Sequence, residues 1–161
     1  MLRPTSRGYV TINSTDPLQP PLIYNNMIYS KRDVHIGVEG CKFAARLGET
    51  KAFREAGRTL DRTPLAGCTD FEHGTVEYWN CTVRLWLLSL YHPAGTCKMG
   101  PSSDPEAVVN SELKVYGVKG LRVADASIMP YIVSGNTNAP VIMIGEKCSD
   151  LIKEEWKRLN Y

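Results

Sequence analysis

Apolar positions recur at helical spacing in three stretches of this chain. The clearest is Val76, Trp79, Val83, Trp86 and Leu90, whose steps of three and four put one stripe on one face. Thr69-Asp70-Phe71-Glu72, a hydroxyl followed three residues later by an acid, predicts where that helix starts. Pro93 forbids its continuation, so the stripe is expected to run up to Tyr91-His92 and turn out there. A second stripe, Val34, Val38, Cys41 and Ala45 behind the box Ser30-Lys31-Arg32-Asp33, predicts a helix over about 30–48. Gly37 and Gly40 weaken it by about 1 kcal/mol each relative to Ala, which implies the close approach of another backbone. The third helix is expected to begin near 137–140, with Pro140 in its first turn. Its apolar face runs Cys148, Leu151, Ile152, Trp156 and Leu159, and Gly145 interrupts it as if for tight packing.

Strand signals are shorter. Tyr9-Val10-Thr11-Ile12 is β-branched and aromatic and predicts one strand, followed by a loop from Asp16 to Pro21 that holds Pro17, Pro20 and Pro21. Leu121 and Val123 alternate with polar or small neighbours beside a turn at Gly117 to Gly120, which predicts a hairpin or paired strands within 115–125. No repeat or linker composition breaks the chain, so one compact body of α+β class is expected.

A length of 161 residues with 43% apolar content suits one globular domain, and a net charge of +2 lacks the basic footprint of a nucleic-acid binder. The longest apolar stretches, Leu85 to Tyr91 and Pro140 to Ile144, fall far short of the roughly 18–20 residues of a membrane span. The opening Met1-Leu2-Arg3-Pro4 has no apolar core of a secretory signal. Cys41, Cys68, Cys81, Cys97 and Cys148 offer no pair at zinc-module spacing, so no metal is expected, and their odd number leaves at least one thiol unpaired. Asn13-Ser14-Thr15 and Asn80-Cys81-Thr82 are acceptor sequons that fit an exported protein, the second lying inside a helical pattern.

Candidate chemistry sits in two segments, Tyr91-His92-Pro93-Ala94-Gly95-Thr96-Cys97-Lys98-Met99-Gly100 and Ser134-Gly135-Asn136-Thr137-Asn138-Ala139-Pro140. An imidazole with a pKa near 6.5 can take the proton that an alcohol must shed as its carbon is oxidised, so His92 is the candidate base. The Asn136 carboxamide does not titrate but can donate an N–H to the same oxygen as charge builds on it. The helix that follows points its positive end toward Asn136 to Ala139. Out of context, His92 would be a turn residue before proline, Asn136 a left-handed cap, and Asp125 the cap of a turn at a strand end. Cys97 has no evident orienting partners and is expected to be a small buried group, while His35 and His73 are expected to be ordinary surface or interface histidines.

These motifs, with Gly120-Leu121-Arg122-Val123-Ala124-Asp125-Ala126-Ser127-Ile128-Met129-Pro130 and Ile144-Gly145-Glu146-Lys147, resemble in order and spacing the C-terminal part of the glucose-methanol-choline (GMC) oxidoreductases. Arg3-Pro4-Thr5-Ser6-Arg7-Gly8 likewise resembles the strand by which that family enters its substrate domain. The resemblance implies an FAD-dependent enzyme that oxidises a small alcohol or sugar to a carbonyl, with His92 as base and Asn136 as its partner. It implies further that Asp125 and Ala126 lie against the cofactor's ribose and pyrophosphate, Thr137 and Asn138 beside the flavin's pyrimidine edge, and Tyr91 at its border. On this reading residues 1–110 are mainly substrate-domain sheet and helices, and 111–161 are mainly a returning remnant of the α/β FAD domain. No G-x-G-x-x-G occurs, so the dinucleotide cradle is expected from a missing N-terminal segment. Cysteine usage and sequons look like the extracellular, glucose-dehydrogenase-like members; oxygen, a dye or a quinone would all serve as acceptor. The alternative is a binding or regulatory fragment that keeps the fold without the cofactor or catalysis.

Overall fold

A computed structural model of the protein describes residues 1–159, the side chain of Leu159 lying outside the description. It combines helices with a small antiparallel sheet, in line with the α+β expectation. The described chain divides between Ser89 and Leu90 into two compact units rather than the single body expected. The crossing segment, Leu87 to Tyr91, is apolar and free of the Pro, Gly and Ser runs by which a linker is ordinarily read, so composition conceals the break.

The first unit opens with β1 (Tyr9–Thr11) and β2 (Leu22–Tyr24), paired antiparallel with Tyr9 opposite Tyr24 and their rings stacked 4.5 Å apart. β2 follows Pro21 directly and had no sequence signal beyond three apolar residues. Helix α1 (Lys31–Gly48) spans the predicted stretch, a short α2 (Lys51–Glu55) follows, and α3 is Val76–Trp86. Val34 and Val38 of α1 pack with Val83 of α3 into a small core, with Ile28, Cys41 and Trp79 against it. A disulfide joins Cys68, in the turn before α3, to Cys81 within it, while Cys41, Cys97 and Cys148 are free.

Both capping boxes fail in an instructive way. Gly74 adopts a left-handed φ of +95°, so the helix begins at Val76, where the Thr75 hydroxyl accepts from the Tyr78 N–H. At the other end Leu87 is extended, so α3 stops at Trp86 and Leu90 never joins the stripe. The buried positions are Tyr78 and Val83, whereas Val76 and Trp86 are about half exposed.

At α1 the Ser30 side chain caps nothing, and Asp33 turns away to the extended segment ahead of β1. Its carboxylate accepts from the Thr5 N–H (2.9 Å), the Ser6 N–H (2.6 Å), and the Thr5 (3.0 Å) and Ser6 (2.6 Å) hydroxyls. The Ser6 Oγ in turn accepts from the Tyr29 and Ser30 N–H groups, so it tethers the residues that lead into the helix rather than capping its first turn.

Glycine packing separates two positions the sequence treated alike. A Cβ on Gly37 would lie 2.8 Å from Val83 Cγ1, whereas one on Gly40 would meet nothing within 4 Å. Val83 is fully buried and β-branched, with one comfortable rotamer, so it has no room to yield. Gly37→Ala is therefore expected to destabilise this unit by about 1–3 kcal/mol, and Gly40→Ala to stabilise it by up to about 1 kcal/mol. Denaturant midpoints of the two variants, read on helix content, check the opposite signs. The crowding predicted at Gly145 is absent, since a Cβ there also meets nothing within 4 Å.

The second unit is built on α4 (Asn138–Leu159), which packs against a short 3₁₀ turn, η1 (Ala126–Ile128). Its core is Val109, Leu113, Ile128, Met129, Ile144 and Cys148, all buried. In place of a regular hairpin at 115–125, three isolated bridges join Met99 to Val109, Val109 to Val115 and Lys114 to Arg122. Gly117 and Gly120 take left-handed φ values at the predicted turn, and Val115 N–H donates to Leu121 O (3.0 Å), so the pairing is present without strand length. Glu155 of α4 holds Arg122 (2.5 Å) and Lys114 (3.0 Å) and clips the helix to this loop system.

Candidate active site

All seven predicted site residues fall in the second unit. The backbone brings their motifs together by a run of hydrogen bonds. Gly95 N–H donates to Ala126 O (3.3 Å), Cys97 N–H to Ser127 O (2.9 Å) and Met99 N–H to Ile128 O (2.8 Å). The histidine motif therefore lies alongside the Asp125-Ala126 segment. Gly95 makes that approach possible: its φ is +90°, and a Cβ there would sit 3.1 Å from Met129 O.

The third motif joins through side chains. The Thr137 hydroxyl lies 2.8 Å from His92 Nδ1, so the imidazole touches the residue that follows Asn136. Thr137 immediately precedes α4, and its carbonyl accepts the first helical bond from Val141 N–H (3.0 Å). A hydroxyl at such a position ordinarily caps the amide of the second or third helical residue. Here the third is Pro140, which has no N–H, and the Thr137 hydroxyl is turned to the ring instead.

His92 is half-buried and Asn136 is exposed, so the ring has one anchored nitrogen and the carboxamide is open to a ligand. Two consecutive non-glycine residues before His92 are left-handed, Leu90 with φ +51° and Tyr91 with φ +65°, a strained pair of the sort that clusters at functional sites. Tyr91 is 93% exposed. Asp125 is exposed and caps η1 by accepting from Ser127 N–H (2.7 Å), so the cap reading of this residue holds and its second carboxylate oxygen stays open. Ala126 is half-buried beneath the histidine motif, and Asn138 is exposed in the first turn of α4.

Other groups nearby are committed elsewhere. Lys98 is held by Asp104 (2.7 Å) and Glu106 (3.3 Å); the Asp104 hydrogen bond, ahead of that from Glu106, keeps its ammonium above the usual lysine range and makes it an anchor of the loop. Cys97 is half-buried and unpaired. His73 packs on Tyr78 and Trp79 in the first unit, and His35 is exposed. An apolar hollow of about 330 Å³ beside Met99, Leu113, Met129 and Ile144 takes in none of the seven residues. No group of three or more potential metal ligands occurs among the described residues, and no described helix is long and apolar enough to cross a membrane.

Sequence reasoning placed Thr137 at a cofactor edge and did not foresee its bond to His92. Pro140 in the first helical turn was the available signal, because it removes one of the two amides that would otherwise take that hydroxyl and leaves only that of Ala139.

Comparison with known proteins gives one consistent picture. The family model described as GMC oxidoreductase matches residues 4–145. Glucose dehydrogenase (FAD, quinone) of Drosophila pseudoobscura pseudoobscura is 51% identical over 156 residues, 97% of this chain and 25% of that protein. Ecdysone oxidase of Spodoptera littoralis is 39% identical over 98% of this chain and 25% of its own length. Among solved structures, formate oxidase of Aspergillus oryzae superposes with a TM-score of 0.83 at 34% identity, covering 99% of this chain and 27% of that one. The chain thus spans about a quarter of the length of the relatives it matches.

Proposed function

Because this chain belongs to the GMC oxidoreductase family, we propose that it carries the proton-handling half of an FAD-dependent enzyme that oxidises the CH–OH of a small alcohol or sugar to a carbonyl. The observation that carries this reading is the 2.8 Å contact between His92 Nδ1 and Thr137 Oγ1, which ties the two candidate motifs together. When Nδ1 carries the ring proton and donates it to the threonine oxygen, Nε2 keeps its lone pair and is the basic atom. Nε2 then accepts the proton of the substrate hydroxyl, and the Asn136 carboxamide donates to the same oxygen as negative charge gathers there.

The donors and acceptors present fit the cofactor. Asn136, Asn138 and the open oxygen of Asp125 are exposed polar groups in the same unit as His92, and the start of the 22-residue α4 adds backbone N–H groups without helical partners. Asp125 and Ala126 are assigned to the ribose and pyrophosphate, Thr137 and Asn138 to the pyrimidine edge, and Tyr91 to the border of the ring system. FAD, when bound, supplies a two-electron acceptor for the alcohol's hydrogen. The Gly-rich dinucleotide turn is assigned to an N-terminal segment outside this chain. Residues 1–110 are assigned mainly to the substrate domain and 111–161 mainly to the returning FAD-domain portion. The Cys68–Cys81 disulfide supports export as part of a longer precursor, because such bonds persist in oxidising compartments.

The test is alcohol-dependent turnover of the full-length protein with the ring's partner altered. Thr137→Val is expected to lower kcat about tenfold, the worth of one hydrogen bond of roughly 1.4 kcal/mol, and to shift the limb of the pH profile that reports the base. Thr137→Ser keeps the hydroxyl and is expected to stay within about twofold of the parent. Because Thr137 is also assigned to the flavin's edge, flavin content is read by absorbance and kcat is expressed per bound flavin in both. Unchanged kcat and pH profile in Thr137→Val would remove the contact from the mechanism.

A further inference from the structure

We propose that Asn13 is an N-glycosylation site and that Asn80, the other sequon, is closed. The two triplets are equivalent in sequence, Asn13-Ser14-Thr15 and Asn80-Cys81-Thr82, and the fold separates them. Asn13 and Thr15 are exposed in the loop that joins β1 to β2, on the stretch directly after β1. Downstream the loop is braced by its own turns, with Asp16 N–H donating to the Ser14 hydroxyl (3.0 Å) and Leu18 N–H to the Asp16 carboxylate (3.0 Å). Neither bond uses the Asn13 carboxamide or the Thr15 hydroxyl, the two groups a transferase must engage.

At Asn80 two residues of the triplet are bonded into the fold and the third is withdrawn from the surface. Asn80 Nδ2, the atom that would carry the sugar, donates to Val76 O (3.0 Å) inside α3. Cys81 is half of the disulfide to Cys68, and the Thr82 hydroxyl oxygen is buried. A transferase takes its acceptor as an accessible, flexible segment, and a side chain packed along a helix between a disulfide and a buried hydroxyl is not one. The same disulfide bears on compartment, since oligosaccharide transfer and disulfide formation both belong to the secretory pathway.

In the modification the Asn13 Nδ2 forms a bond to the anomeric carbon of an oligosaccharide carried on a lipid diphosphate. The anomeric C–O bond to that diphosphate breaks with its electron pair, and one amide proton leaves with the departing phosphate. The inference rests on the exported location proposed above and is independent of the catalytic assignment.

Full-length protein produced in a eukaryotic secretory host, treated with a peptide N-glycosidase and mapped by mass spectrometry, tests it. The peptide containing Asn13 is expected to carry the glycan, lost in both Asn13→Gln and Thr15→Ala and retained in Asn80→Gln. Secreted protein with an unmodified Asn13, or a glycan on Asn80, would overturn the assignment. Failure of the protein to enter the secretory pathway would overturn the location first and the modification with it, and retained against secreted material distinguishes the two.

Discussion

His92→Ala in the full-length protein is expected to lower kcat for alcohol oxidation by about 10²–10⁴-fold while leaving flavin content near that of the parent. The size follows from what the ring is assigned to do. Without a base the hydroxyl proton must leave to water during oxidation of its carbon, and the barrier rises by roughly 3–5 kcal/mol. Among the described residues the ring's hydrogen-bond contact is at Nδ1, with a side chain of its own unit, so removing the ring leaves the core of Val109, Ile128, Met129 and Ile144 intact. Loss of the base-reporting limb of the pH profile should accompany the drop in rate. A variant that oxidised alcohols as fast as the parent, with its flavin bound, would refute the assignment of the base.

Asp33→Asn is expected to cost the first unit about 3–5 kcal/mol, a large fraction of the stability of an ordinary domain. The carboxylate is fully buried and receives N–H and O–H donors from both Thr5 and Ser6. A carboxamide would present two N–H bonds of its own to those donors and leave several unsatisfied. Burial alone would raise the Asp33 carboxyl, but the bonds from Ser6 and Thr5 outweigh it and lower it from 3.8 to about 2. The group's folded-state pKa is thus depressed, so its contribution is complete above its ordinary value of 3.8 and is lost as pH falls through about 2. That contribution amounts to about 2 kcal/mol. Opening free energies from amide hydrogen exchange along α1, measured from pH 5 down to pH 2, should fall more steeply in the parent than in Asp33→Asn, the exposed Glu39 of α1, itself lowered by its bond from Lys42, giving both the same residual slope.

Helix positions were legible wherever a stripe was long enough to outvote local chemistry, as in α1 and α4. Their ends were less so, because a capping box records only that a hydroxyl and an acid stand at the right interval. Asp33 shows the ambiguity: the same carboxylate that could close the box is bonded 27 and 28 residues away to Ser6 and Thr5. Gly37 and Gly40 looked alike for the same reason, since only the partner helix decides which one faces Val83. The Cys68–Cys81 pair was invisible because any two of five cysteines could have been joined. At the site, the motifs themselves were readable from residue order, and what they touch was not. The bond from Thr137 to His92 spans 45 residues and depends on which way one hydroxyl rotates.

That rotation has a consequence for the second unit. With Thr137 facing the imidazole and Pro140 unable to donate, the front of α4 forgoes a side-chain cap worth about 1 kcal/mol. Its leading turn is accordingly held by its backbone, beginning with the bond from Val141 N–H to Thr137 O (3.0 Å). One side chain thus carries two duties, orienting the imidazole through its hydroxyl and opening the helix through its carbonyl, so a substitution at Thr137 is felt at both.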